Sequence, residues 1–505
     1  MINLREEGAD TDWLACSKSL EFRAGHFIDG RRRAASEKDL LIKYGPRDGR
    51  TLYRFNAAGP QEVEEAVLSA RRAFSDGRWS KASVQFRKDC LYKLAALLEM
   101  HRDELALLEC LDVGKPIRDA LEFDIPQAAA ELRYYAEAAD KYNTMVYAAD
   151  PTSLSYQLRR PLGVAAGIVG WNFPLLLAIA KVGPALATGN TLVLKASELT
   201  PLTASRLAEL AVDAGIHPGV LNVINGGASV GAALAHHNEI DLLSFTGSSA
   251  TGKRLLAASG QSNMKRLILE CGGKAPNIVF DDAPNLERVA DAIVASAFRN
   301  QGQVCTASSR LLIQEGIKDE LLRSVIRITS RLTPGDPLDP NTTFGAVVSR
   351  EHAQKIFSYL EAGENEGARA AYRPQFSEPV KGGFYVSPVI FDAVRPNQRI
   401  AQEEIFGPIL SVMTFRTEEE AIRLANDSMY GLSAVVWTQN LGRAHRLTQE
   451  IKVGWITVNA TADAQGGPGA GALSVGGHKQ SGIGVEGGTA GLEAYTSDTA
   501  VQFFV

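Results

Sequence analysis

Cys305 stands in the segment Asn300-Gln301-Gly302-Gln303-Val304-Cys305-Thr306, and Glu270 precedes it by 35 positions. Glu270 opens the string Glu270-Cys271-Gly272-Gly273-Lys274. Further upstream, Trp171-Asn172-Phe173-Pro174 sets a side-chain amide just after an apolar run. A thiol attacks an electrophilic carbon, an amide N–H holds the oxyanion that forms, and a carboxylate activates water. These are the minimum parts for acyl-enzyme chemistry on a carbonyl. A free thiol, with a pKa of about 8.5, is mostly protonated near neutrality, so Cys305 needs its thiolate stabilised, and N–H dipoles near it are expected to do so. Gly302 lets the backbone approach closely. Cys90 and Cys110 fall in helical patterns and read as core; Cys16 lies in an N-terminal arm.

Taken together, and from roughly residue 25 onward, these segments resemble the aldehyde dehydrogenase superfamily of NAD(P)-dependent enzymes that oxidise aldehydes to acids. The resemblance implies that Cys305 attacks the aldehyde carbon and that the Asn172 amide and a backbone N–H near Cys305 hold the oxyanion. Hydride then passes to NAD, and Glu270 activates the water that hydrolyses the thioester. Members that pass the acyl group to coenzyme A lack a base at this position, so Glu270 implies a free acid as product. A coenzyme A-acylating enzyme and a non-catalytic binding relative are the alternatives. Lys181 and Glu486 match family positions that assist proton movement. The string Gly476–Glu486 resembles the family's GGxKxSGxGRE, with Val485 where the arginine usually stands and the loss of an ion pair implied.

A strand-to-helix turn, Phe245-Thr246-Gly247-Ser248 with Gly252, offers backbone N–H groups to a pyrophosphate at a helix N-terminus. It is not GxGxxG, but it is similar to the family's phosphate turn. By the same resemblance Lys195 and Glu198, in Lys195-Ala196-Ser197-Glu198, bond the adenosine ribose. A carboxylate there repels a 2′-phosphate, which favours NAD over NADP; the alternative for Glu198 is a first-turn acid of the next helix. Glu404, in Glu404-Ile405-Phe406-Gly407-Pro408, is implied to hold the nicotinamide ribose and Phe406 to brace the ring. Ile168, Trp171, Ser197, Cys271 and Gly272 complete the implied cofactor contacts. Asn225-Gly226-Gly227-Ala228 departs from the family's G-x-G turn at the edge of the adenine pocket.

Local matching to the family sets Ile125, Ala129, Phe173, Leu177, Ala180, Val304, Thr306 and the 460–475 loop around the substrate. Several are small and the loop has no aromatic residue, which implies a roomy funnel for a long or bulky aldehyde. Asn263-Met264-Lys265-Arg266, Cys271 and Asp124-Ile125-Pro126 resemble the branch containing gamma-glutamyl-gamma-aminobutyraldehyde dehydrogenase. Asp124 at a funnel mouth would attract a cationic amine; its alternative is a helix N-cap.

The elements that position these residues follow from the rest of the chain. Its 505 residues suggest about three domains. Apolar content of 45%, charged content of 22% and a net charge of −5 without a basic block describe a globular protein with no nucleic-acid partner expected. Five scattered cysteines without CxxC and dispersed histidines argue against disulfides or a metal site and for a reducing compartment, the cytoplasm. Residues 163–180 are apolar, but Pro174 interrupts them and Lys181 follows, so a buried strand and helix are expected rather than a membrane span.

Helical patterns begin at Pro60, over 84–112 and over 120–141; from 163 strand-turn-helix units repeat, and a second α/β block begins after Gly273. The expected fold is α/β and aldehyde dehydrogenase-like. A Rossmann-type NAD-binding domain takes 1–143 and 163–272, a catalytic domain 273–474, and an oligomerisation element 144–162 and 487–505. Strands 153–161 and 492–505 are expected to pair across subunits in a homodimer or homotetramer, since a bare edge is an aggregation liability.

Overall fold

The computed structural model describes residues 11–33, 39–148, 151–461 and 471–504. Five strands, Val164–Ile168, Thr191–Ala196, Leu221–Asn225, Leu242–Thr246 and Arg266–Glu270, run parallel in one sheet. The first three are buried along their whole length, which is why they read as unbroken apolar runs. In space the order is 221–225, 191–196, 164–168, 242–246, 266–270. The order reverses beside Val164–Ile168, and sheets of this kind bind ligands in the crevice beyond the carboxyl ends of the strands at such a switch point. Register aligns the candidates there: Ile168 pairs with Lys195, and Thr246 with Glu270. Antiparallel strands His26–Ile28 and Arg31–Arg33 extend one edge, and Gly482–Ile483 the other.

A second sheet has the order 369–372, 389–392, 409–415, 310–314, 276–279, 433–437, 455–458, parallel except at the first pairing. The strand Val389–Asp392 begins only after Pro388. Pro388 lacks the N–H a ladder needs, and the Phe384 N–H bonds the Pro46 carbonyl at 2.8 Å instead. The pattern over 84–112 forms two helices, Val84–Met100 and Arg102–Val113, that part at His101. The pattern over 120–141 opens as a wide π-type turn, Ala120–Asp124, before the helix Ile125–Ala138. Pro126 cannot donate to the preceding turn, which accounts for the widening.

The terminal strands pair with each other inside the chain, which leaves the outer edge of the last strand for any pairing across subunits. Thr496–Phe504 pairs with Ser153–Pro161 within the chain, antiparallel over nine residues, and Val146–Tyr147 flanks the latter. Arg159 reaches across to Asp498 at 2.9 Å and to Glu493 at 2.7 Å, which anchors that register inside one chain. The outer edge of Thr496–Phe504 has no partner strand among the described residues, and Phe503 and Phe504 are exposed.

The helix Pro174–Ala187 follows Asn172 and carries Lys181. Pro174 supplies a first-turn residue with no N–H to satisfy. Its neighbour is Ile125–Ala138, and the contact is set by Gly183, where a side chain would collide with the buried ring of Tyr135. Gly183→Ala is therefore expected to cost about 1–3 kcal/mol by overpacking and to lower the thermal midpoint. An unchanged midpoint in a calorimetric scan would show that the two helices separate freely.

Candidate active site

Three consecutive residues before Cys305 lie in the left-handed region: Asn300 (φ 47°), Gln301 (φ 57°) and Gly302 (φ 73°). Asn300 and Gln301 are costly there, and Gly302 has no room for a side chain against the Gly407 carbonyl. A knot of side-chain amides holds the segment. Asn172 Nδ2 donates to the Gln303 carbonyl at 3.0 Å, and Asn300 Nδ2 donates to the Asn172 carbonyl at 3.0 Å. Gln303 Nε2 donates to the Asn300 carbonyl at 3.0 Å, while its Oε1 accepts from Val348 N at 3.0 Å. Asn172 is buried, yet its amide carries two N–H groups. One of them is spent on the Gln303 carbonyl.

The thiol of Cys305 is pushed up to about 12, first by burial and then by the carboxylates of Glu404 and Glu270. The N–H groups of Thr306 and Cys305 pull the other way and lose. The N–H dipoles act as expected but are outweighed: in the chain alone burial and the two carboxylates hold the thiol up. Glu270 is held well above the usual carboxylate range by burial and by Glu486, against Lys181 and the Gly477 N–H. Its Oε1 is buried with no hydrogen-bond partner among the described residues. A carboxyl so raised keeps its proton to higher pH than an isolated one.

Lys181 and Glu486 form a buried ion pair. Lys181 Nζ also donates to Thr246 Oγ1 at 2.8 Å, and Ser244 Oγ donates to Glu486 Oε1 at 3.0 Å. The pair lies close enough to Glu270 that both charges act on it.

The crevice at the switch point fits a dinucleotide. Lys195 and Glu198 stand 3.4 Å apart at the end of Thr191–Ala196, and the Glu198 side chain is 42% exposed. Ser248 caps the helix Ser249–Gln261, and the backbone before it is bare at Gly247. Phe245 itself is buried under that turn, 2.5 Å from where a Gly247 Cβ would stand, so it supports the turn from below rather than facing the crevice. Cys271 is likewise buried and lies under Gly252; Ile168 is also buried. Ser197 is turned to the Leu199 N–H at 3.2 Å. Glu404 accepts from Gly273 N at 3.0 Å and crowds Gly272, where only hydrogen fits.

Phe406, at φ 59°, meets Trp171 edge to face at a centroid distance of 5.1 Å. His352 completes this wall. It packs on Trp171 at 5.1 Å and its Nε2 bonds the Phe406 carbonyl at 2.7 Å, and burial pulls it down to about 4, so it is neutral. Nothing in the sequence around His352, one histidine in an ordinary helix, signals that role.

The substrate-side expectations divide. Leu177, Ala180, Val304 and Thr306 keep part of their surface open. Ile125 and Ala129 do not: both are fully enclosed in the largest apolar cluster and line no open funnel. Asp124 is corrected as well. It is 2% exposed and ion-paired with Lys115, so it neither stands at a mouth nor caps a helix. Lys115 belongs to a buried cluster that sequence spacing does not reveal. Its Nζ lies 3.8 Å from Glu109 Oε2 and 4.1 Å above the Phe173 ring. Glu109 Oε1 accepts from Leu175 N at 2.8 Å and so fixes the start of the helix behind Asn172. Most of the 460–475 loop, residues 462–470, lies outside the described residues.

Comparison with known proteins bears on this arrangement. Residues 33–501 match the model of the aldehyde dehydrogenase family. The NADP/NAD-dependent aldehyde dehydrogenase PuuC of Escherichia coli (strain K12) is 45% identical over 485 residues, 96% of each chain. An aminoacetaldehyde dehydrogenase of Pseudomonas aeruginosa is 42% identical over 94% of each chain. Among solved structures, a mutant of the indole-3-acetaldehyde dehydrogenase AldA of P. syringae, in complex with NAD+ and IAA, superposes with a TM-score of 0.95 at 45% identity, covering 98% of this chain and 99% of that one. Gamma-glutamyl-gamma-aminobutyraldehyde dehydrogenase from Burkholderia cenocepacia gives 0.94 at 43% identity, with the same coverage.

The raised thiol makes a prediction. Alkylation of Cys305 by iodoacetamide in the cofactor-free protein, followed by peptide mass spectrometry, should accelerate about tenfold per pH unit into the alkaline range without levelling. A plateau already reached at neutral pH would mean a depressed thiol.

Proposed function

The chain belongs to the aldehyde dehydrogenase family, and from that premise we propose that it oxidises an aldehyde to the free carboxylic acid through an intermediate bound to Cys305. The observation that carries this reading is the amide knot, which ties the Asn172 amide to the backbone leading into Cys305. In the proposed sequence Cys305 Sγ bonds the carbonyl carbon and its proton passes to Glu270. The charge gathering on oxygen is received by the free N–H of Asn172 and by the backbone N–H of Cys305. NAD, when bound, supplies the two-electron acceptor that takes hydride from that carbon. Once Glu270 has passed that proton on, it takes a proton from water, the water oxygen bonds the acyl carbon, and the carbon–sulfur bond breaks as Glu270 returns its proton to Sγ. Glu270 favours water over coenzyme A as the acyl acceptor.

Lys195 and Glu198 would hold the adenosine ribose, the N-terminus of Ser249–Gln261 the pyrophosphate, and Glu404, Trp171 and Phe406 the nicotinamide end. The Glu198 carboxylate repels a 2′-phosphate, which supports NAD over NADP. Lys181 and Glu486 would carry protons away from Glu270.

For the substrate, the relatives' names speak of aminoacetaldehyde, gamma-glutamyl-gamma-aminobutyraldehyde and indole-3-acetaldehyde. All carry a polar or aromatic group beyond the aldehyde carbon. The small Val304 and Thr306 beside Cys305 support the same class here, a long, bulky or ω-amino aldehyde. Any amine is held without Asp124, whose charge is taken by Lys115.

The two large sheets would correspond to a cofactor-binding part, 1–143 with 163–272, and a catalytic part, 273–474. The element formed by 144–162 and 487–505 would then seat a second copy on its bare edge, as a homodimer or homotetramer. Among the described residues no helix is long and apolar enough to cross a membrane. The free cysteines fit the reducing cytoplasm.

NADH formation from a panel of amino, long aliphatic and aromatic aldehydes tests the reading. Turnover is expected without coenzyme A, abolished in Cys305→Ala and lowered about 10²–10³-fold in Asn172→Ala. Full turnover by Cys305→Ala would refute the scheme.

A further inference from the structure

The string Gly476–Glu486 lends Glu486 to the chemistry proposed above, but Ser481, in its middle, has no part in that chemistry. Ser481 is fully buried. A hydroxyl in such a place needs partners, and this one has two. Its Oγ donates to the Gly272 carbonyl at 2.7 Å and accepts from Gly431 N at 2.9 Å. Its own carbonyl accepts from Cys271 N at 2.8 Å. The turn that delivers it is tight. Ser481 N donates to the His478 carbonyl at 3.0 Å, and a side chain at Gly477 would strike the Ser481 carbonyl.

What Ser481 holds is the crossing between the two large sheets. Arg266–Glu270 is the last parallel strand of one, Pro276–Val279 belongs to the other, and residues 271–275 between them form neither helix nor strand. Buried backbone groups outside a ladder must be satisfied from elsewhere. The Glu270 carbonyl accepts from Gly247 N at 3.0 Å, Gly273 N donates to Glu404 at 3.0 Å, and the Lys274 carbonyl accepts from Arg310 Nε at 2.9 Å. Between these, Ser481 supplies the partners of Cys271 N and the Gly272 carbonyl. One end of the clamped stretch is Glu270, the proposed base. The other faces Glu404, whose carboxylate leaves Gly272 no room for a Cβ.

We propose that Ser481 is a positioning residue: by clamping the peptide at Cys271–Gly272 it fixes the spacing between the Glu270 carboxyl and the Glu404 carboxylate that would hold the nicotinamide ribose. The hydroxyl makes and breaks no covalent bond and passes on no proton. Without it the Gly272 carbonyl and the Gly431 N–H are left buried and unpaired. The stretch 271–273 then shifts to relieve them, and the base and the ribose contact move together. The inference rests on the proposed aldehyde oxidation and on its placement of NAD.

Ser481→Ala is expected to weaken NAD several-fold in a calorimetric titration without aldehyde, and to lower kcat several-fold. Ser481→Cys, close in size but a weaker donor, should fall between the parent and Ser481→Ala, and it carries the test if Ser481→Ala does not fold. Because Ser481 acts through its neighbours, its effects should not add to theirs. In a Glu404→Gln background the further loss of NAD affinity should be small, and in a Glu270→Gln background the further loss of kcat should be small. Thr329→Val controls for lost stability, since it removes another buried hydroxyl, bonded to the Val325 carbonyl at 2.7 Å, and should leave NAD affinity and kcat alone. Unchanged NAD affinity in folded Ser481→Ala protein, or losses that add fully in both backgrounds, would overturn the proposal. Failure of the parent to oxidise any aldehyde would fall on the proposed function, while the NAD titration, which needs no turnover, would still decide the clamp.

Discussion

Three left-handed residues in a row, immediately ahead of the reactive thiol, are the constraint around which the site is organised. Non-glycine residues in that region cost of order 1–3 kcal/mol each, so Asn300 and Gln301 hold only because the surroundings over-determine them. The determinants come from both large sheets. Asn172 follows a strand of the first, whereas Asn300, Gln303 and Cys305 precede a strand of the second. The same hydrogen bonds that hold the strained segment also aim the Asn172 amide. Orientation of the proposed oxyanion donor and placement of the proposed nucleophile are one structural event, and neither sheet achieves it alone.

Electrostatics around this knot oppose ionisation. Glu404 and Glu270 raise the Cys305 thiol, and Glu486 raises Glu270. Carboxyls packed this closely keep protons that isolated ones would lose. The arrangement fits a nucleophile that gives up its proton to a neighbouring base as the carbonyl arrives.

Much of the site was legible because its chemistry sits in short, unusual strings. Cys305, Glu270 and Asn172 are each set among glycines or aromatics, where a loop must make a tight turn beside a strand end. The parallel strands were legible as apolar runs. Burial and partnership across elements were not. Asp124 reads as a surface acid until Lys115 and Glu109, from the helix before it and the turn between, enclose it. Ile125 and Ala129 match pocket positions locally, but their helix turns them into the core. His352 sits in a regular helical pattern that carries no motif. That the terminal strand pairs within its own chain was not legible either, because its Arg159 contacts join residues more than 300 apart in sequence.

The central claim is that the acyl group resides on Cys305 until Glu270 activates water, and trapping tests it most directly. Glu270→Gln protein would be mixed with NAD and an oxidisable aldehyde, quenched in acid, and mapped by peptide mass spectrometry. The expected result is one equivalent of NADH, slow acid release, and Cys305 carrying the mass of the acyl group. Unmodified Cys305 together with acid formation at the parent rate would contradict the claim, because neither the sulfur bond nor the base would then be needed.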